Sequence, residues 1–182
     1  MAIIIAIILA LVLPGLSSND ASSTTTSSTS STSTTTPAST TTAAPLKSVA
    51  GKPCVATKGA LPAGAPAVPV ETGPPPTKLV IKDLKVGTGA AVKAGQTLSV
   101  DYIGVSCSTG VIFDSSYATG QPASFALSGV IPGWQQGIPG MKVGGERLLG
   151  IPPVLAYGKD GRAPSIAPDE TLWFVVHVLS AK

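Results

Sequence analysis

From residue 78 onward the chain alternates apolar and polar positions with a period of two, in short runs separated by Gly and Pro. Leu79 and Ile81, then Leu98, Val100 and Tyr102, stand between polar or charged neighbours, which predicts strands over 78–86 and 97–105. Gly87, Gly89 and Gly95 punctuate the turn between them. Further strands are predicted over 111–114, 123–127, 146–151 and 171–179. In the last of these Leu172, Phe174, Val176 and Val178 share one face, and Trp173, Val175, His177 and Leu179 the other. The best helix candidate is 130–138: Pro132 suits a first turn, where a missing donor costs little, and Pro139 with Gly140 stops continuation. Several strands and one short helix make an α+β domain, with a strand order that periodicity leaves open.

The preceding 76 residues have a different character: they contain no aromatic side chain. Residues 2–13 form an unbroken apolar run, shorter than the roughly 20 residues of a bilayer span and suited to the centre of a secretory signal. No Lys or Arg precedes it. We therefore expect a signal-like segment over 1–16 and an extracytoplasmic protein, membrane-tethered if that segment is retained. Residues 17–46 are dominated by Ser and Thr, which predicts a disordered stalk with plausible sites for O-linked sugar. Residues 47–76 turn to Pro, Ala and Gly, which predicts an extended connector holding a folded domain, 77–182, away from a surface.

Composition narrows the chemistry. The net charge of +3 is small, and Lys78, Lys82, Lys85 and Lys93 are interleaved with apolar residues, so no nucleic-acid footprint is present. A single His, His177, leaves metal clusters and Ser-His-Asp arrangements without parts, and no cofactor is expected. Gly87 and Gly89 lack the spacing and the Lys-Ser/Thr pair of a phosphate loop. Two cysteines, Cys54 and Cys107, suggest a disulfide in an exported chain, against the alternative of two independent thiols.

All eight aromatic residues lie between Tyr102 and Phe174, inside an ordered series of landmarks: DYIG, FDSS, FAL, VIPGW, GIPGMKVGGERLLGIPP, AYG and TLWF. This series resembles the FKBP-type peptidyl-prolyl cis-trans isomerases over roughly 77–182, in a single-domain, exported form. The resemblance implies an antiparallel twisted sheet wrapped around one short helix, and rotation about Xaa-Pro bonds as the activity. It further implies that Tyr102, Phe113, Asp114, Trp134, Tyr157 and Phe174 carry catalysis, with Phe125, Val130, Ile131 and Ile166 binding substrate. In that reading the Trp134 indole underlies the substrate proline, the Ile131 N–H donates to a ligand carbonyl, and the Tyr157 phenol offers another hydrogen bond. Without the resemblance, Phe113, Phe125 and Phe174 read as core residues, and Asp114 as a turn cap with Ser115 and Ser116.

The implied partners are Pro-containing polypeptides, and macrolides such as rapamycin, bound by a monomer. Arg162 stands where the family often has His, Ser165 where it often has Ile, and Gly129 where an acidic residue often precedes the Val-Ile pair. Those departures bear on sequence preference and macrolide affinity. The expected role is assistance to the folding of exported proteins. The alternative is a module that captures Pro-containing segments with little turnover.

Overall fold

A computed structural model describes residues 46–182. The predicted segment 1–16, and all of the predicted stalk except Leu46, lie outside the described residues. Six strands form one antiparallel sheet: β1 (Val80–Lys85), β2 (Thr97–Ser106), β3 (Ile112–Ser115), β4 (Ala123–Ala126), β5 (Glu146–Ile151) and β6 (Leu172–Ala181). The order is β1-β5-β6-β2-β3, and β4 also pairs with β2. One edge of β2 is therefore divided: Thr97–Val100 pair with β4, while Ile103–Val105 pair with β3. Its other edge pairs with β6 from Leu98 to Ser106.

The alternation read from β6 is the alternation observed. Leu172, Phe174, Val176 and Val178 join one core cluster, and Trp173 and Val175 join another on the opposite face. At β1 the expectation fails for Ile81, which is 47% exposed. Leu79 and Val80 instead pack against the two clusters. As the sheet's edge strand, β1 has a neighbour on one side only, so alternation there is a weaker guide to burial.

The helix, α1 (Pro132–Gly137), is shorter than expected because Ile131 precedes a proline and stays extended at φ −57°, ψ 147°. A six-residue helix containing two glycines is not stable alone, so packing holds it. Gly133 and Gly137, four apart and on one face, abut Ile151 and Leu149 of β5, with no room for a Cβ. Arg147 of β5 fixes the helix end: its Nη1 donates to the Gly137 carbonyl at 2.7 Å while its Nε donates to Asp83 of β1 at 2.6 Å.

The segment 47–76 is not a detached connector. It lies across the sheet face opposite α1, where Cys54 and Val68 are buried with Ile103, Val105, Leu148, Trp173 and Val175. Ala65 and Val70 pack at the margin. Cys54 is joined to Cys107 by a disulfide, and the Val55 and Lys58 N–H groups donate to the carbonyls of Cys107 and Gly110. A Pro-rich segment can be buried in this way because its small apolar residues fill the layer while each Pro brings no N–H to satisfy.

Candidate functional site

On the α1 face, Trp134 is the centre of an aromatic cluster. Its ring meets Tyr102, Phe125 and Phe174 with centroids at 5.5, 5.2 and 5.3 Å, and Phe174 in turn meets Phe113 edge-on at 5.5 Å. The local sequence explains the convergence. Tyr102 and Phe174 face this side from neighbouring central strands, Phe113 and Phe125 come from β3 and β4 on the divided edge of β2, and α1 lays Trp134 over them. Gly104 is required here, since a Cβ would stand 2.7 Å from both the Phe113 and the Phe174 ring. The Trp134 Nε1–H is the only buried side-chain polar atom among the described residues without a hydrogen-bond partner.

A cavity of about 200 Å³ adjoins this cluster, lined by Phe113, Asp114, Tyr157 and the turn from Arg162 to Ile166. Of the ten residues singled out in the sequence, Phe113, Asp114, Tyr157 and Ile166 line it directly. Tyr102, Trp134, Phe174, Val130 and Ile131 are buried in the adjoining core, with Phe125 half-buried beside them. The structure thus brings the set together but holds most of it behind the cavity wall. Among the described residues the Ile131 N–H has no hydrogen-bond partner, while its carbonyl accepts from Trp134 and Gln135 in the first turn of α1.

The polar side chains lining the cavity are those of Asp114, Tyr157, Arg162 and Ser165, with the Tyr102 phenol behind Asp114. The Tyr102 hydroxyl donates to Asp114 Oδ2 at 2.7 Å. Burial, and then the neighbouring Asp114 charge, push the Tyr102 phenol far above its ordinary range. Burial raises Asp114 as well, opposed by the hydrogen bonds from Tyr102 and the Ser115 N–H and by the Arg162 charge. Tyr102 therefore stays a donor at neutral pH and holds the carboxylate at the rim. Arg162 is the feature that the ten residues leave out. Its guanidinium carbon stands 5.8 Å from the Tyr157 ring centroid, with Nη1 3.5 Å from the phenol oxygen. In the sequence it stands out only as a departure from the resembled family that bears on sequence preference.

A larger cavity, about 580 Å³, lies between residues 49–52, 75–77, 152–154, 158–159 and 169–171, with Cys107. No aromatic side chain lines it. Its carboxylates are turned to protein partners: Asp169 accepts from the Ser48 hydroxyl at 2.6 Å, and Glu170 accepts from the Ser108 N–H and hydroxyl at 2.9 and 2.7 Å. The smaller, aromatic-backed cavity is the candidate site.

Comparison with known proteins agrees with the fold. The family model described as FKBP-type peptidyl-prolyl cis-trans isomerase matches residues 89–179. A probable FK506-binding protein of Corynebacterium glutamicum is 47% identical over 116 residues, covering 64% of this chain and 98% of its own length. An FK506-binding protein of Streptomyces anulatus is 50% identical over 118 residues, covering 63% and 95%. The crystal structure of FkpA from Escherichia coli superposes with a TM-score of 0.55 at 47% identity, covering 58% of this chain and 49% of that one. AtFKBP13 gives a TM-score of 0.54 at 36% identity, covering 59% and 96%.

Proposed function

Since the chain belongs to the FKBP-type peptidyl-prolyl cis-trans isomerases, we propose that it turns Xaa-Pro bonds at the cavity between Phe113, Tyr157 and Ile166, and that its substrates are exported polypeptides. The reaction needs no metal and no strong acid or base. Its barrier is ~18–20 kcal/mol because resonance stiffens the C–N bond, while the two X-Pro ground states differ by only about 1 kcal/mol. As the bond twists, the dipole of the planar amide is lost. Water stabilises the planar amide more than the twisted one, so a dry apolar wall favours the twisted state. A preference of ~4 kcal/mol amounts to about a thousandfold in rate.

The observation that carries this reading is a small cavity with a fixed polar rim whose wall residue Phe113 leads through Phe174 into the aromatic cluster around Trp134. Trp134 would support the proline ring, the Ile131 N–H and the Tyr157 phenol would hold carbonyl groups, and Asp114 with Tyr102 would shape the rim. A macrolide would fill the same cavity. Export is supported by the apolar run at 2–13 and by the Cys54–Cys107 disulfide, which persists in oxidising compartments. The test is isomerisation of a Leu-Pro peptide by the full chain with and without rapamycin. Acceleration abolished by the macrolide supports the site, and acceleration untouched by saturating macrolide places it elsewhere. Cell fractionation tests export, and protein confined to the cytosol rejects it.

A further inference from the structure

Arg162 brings a charge to the cavity mouth that nothing around it neutralises by contact. Among the described residues the one ion pair is Arg147 with Asp83, so no carboxylate lies within ion-pair distance of the Arg162 guanidinium. The nearest acidic group across the cavity, Asp114, has its Oδ2 occupied by the Tyr102 hydroxyl. The guanidinium is nonetheless placed: it rests by the Tyr157 ring at 5.8 Å, its Nη1 reaches the phenol at 3.5 Å, and a backbone turn binds Arg162 to Ile166 in both directions at 2.7 and 2.8 Å. A half-buried, pre-positioned guanidinium with donors to spare is suited to a carboxylate, which it can meet with two parallel hydrogen bonds.

We infer that Arg162 is a specificity-determining residue that makes this isomerase favour an acidic side chain over its neutral isostere immediately before the substrate proline. The inference rests on the cavity being the substrate site. A proline ring seated against the aromatic wall would put the residue on the far side of the rotating bond at the mouth, where Arg162, Asp114, Ser165 and the Tyr157 phenol are the polar groups and Arg162 is the only cation. Asp114 would repel an acidic side chain weakly, and Arg162 sits on the opposite lining segment, offering it a partner.

The test compares four blocked peptides differing only in the residue before proline, Glu, Gln, Leu or Lys, with the full chain and its Arg162 variants. The expected kcat/KM ratio of Glu-Pro to Gln-Pro is about fourfold at low salt, or about 0.8 kcal/mol at 1.36 kcal/mol per tenfold. That lies within the ~0.2–1 kcal/mol of partly solvated ion pairs. Raising salt from about 0.01 M to about 1 M, which shortens the screening length from ~30 to ~3 Å, brings the ratio towards one. Arg162→Gln does the same whatever its absolute rates. Arg162→Lys keeps part of the preference, and Arg162→Glu transfers it to Lys-Pro. A parent ratio near one, or a ratio that persists in Arg162→Gln, overturns the inference while Leu-Pro turnover leaves the site reading standing. A folded chain that turns over none of the four overturns both.

Discussion

The two faces of the sheet each bury a tryptophan, and the two differ in what their polar atoms do. Trp173, fully buried, sends its Nε1–H to Cys54 Sγ at 3.4 Å, and its ring edge fits over Gly150, where a Cβ would stand 2.7 Å away. Trp134, equally buried, leaves its Nε1–H without a partner behind a cavity with a polar rim. An orphaned buried donor costs ~1–3 kcal/mol. One face thus has its buried indole donor satisfied, and the other carries an unsatisfied one beside the cavity-bearing core. The first of these faces depends on residues 46–76, which precede the 89–179 stretch matched by the family.

Removing the cover has the largest expected effect. Deletion through residue 76 bares Ile103, Val105, Leu148, Trp173 and Val175. At ~1.5–3 kcal/mol per large apolar side chain, the loss is on the order of 10 kcal/mol, comparable to the whole stability of a domain. The fragment 77–182 is expected to lack a cooperative urea transition by circular dichroism, while 46–182 keeps one. A cooperative transition in 77–182 at the same urea concentration would make the cover dispensable.

Cutting only the staple has a smaller effect. Cys54 and Cys107 are 53 positions apart, and closing a loop of that size stabilises by about 4 kcal/mol in the chain-entropy model. Replacing both with Ser is expected to cost ~2–4 kcal/mol in urea unfolding and to leave kcat/KM within about twofold, because neither sulfur touches the α1 face. A tenfold loss of activity in a fully folded double variant would show that the two faces are coupled.

Next come the tryptophans themselves. Trp134→Leu is expected to lower kcat/KM about tenfold or more, equivalent to at least ~1.4 kcal/mol, with a modest stability loss. Trp173→Leu is expected to do the reverse, losing ~2–4 kcal/mol of stability and little activity once folded. Phe113→Ala should lower both. Equal activity in Trp134→Leu and the parent would remove the aromatic wall from the site reading.

Much of this division was legible in the sequence, for a physical reason. Central strands are buried on both faces, so the two rows of β6 and the bounds of β5, Glu146–Ile151, follow from side-chain alternation. The cover was legible only at its staple: the Cys54–Cys107 pair read from the sequence ties residue 54 to the domain, whereas the apolar packing of the rest was not expected. Its composition reports local backbone preference, whereas its position is set by an apolar face built from residues some 30 to 120 positions later. A cue was present in the odd row of β6: Trp173 and Val175 could not face water, and no second helix was predicted to shield them. Four of the ten residues singled out line the cavity and six stand in the adjoining core. Which of the ten line it is decided by the 157–166 loop, whose turn is held by backbone bonds that leave no side-chain pattern.

The smallest expected effects separate two aspartates. The Arg147 hydrogen bond, with help from its charge and against some burial, holds Asp83 below the ordinary carboxylate range. A depressed group contributes stability that is present above its unfolded value, about 3.9, and is lost as pH falls through the folded value. Asp114 is raised by burial, so its charge opposes folding at neutral pH, and protonation between about 3.9 and its higher folded value relieves that cost. Asp83→Asn is therefore expected to weaken the fold at pH 7 and to flatten the decline in urea midpoint below about pH 4. Asp114→Asn keeps an acceptor for the Tyr102 hydroxyl while removing the buried charge, so its urea midpoint should equal or exceed the parent's at pH 7 and lose the relative gain on mild acidification. Because bond rotation transfers no proton, kcat/KM of Asp114→Asn for a neutral peptide should stay flat from about pH 6 to 8. A bell-shaped profile in the parent that disappears in Asp114→Asn would assign the carboxylate a proton-transfer role and move the chemistry from the aromatic wall to the rim.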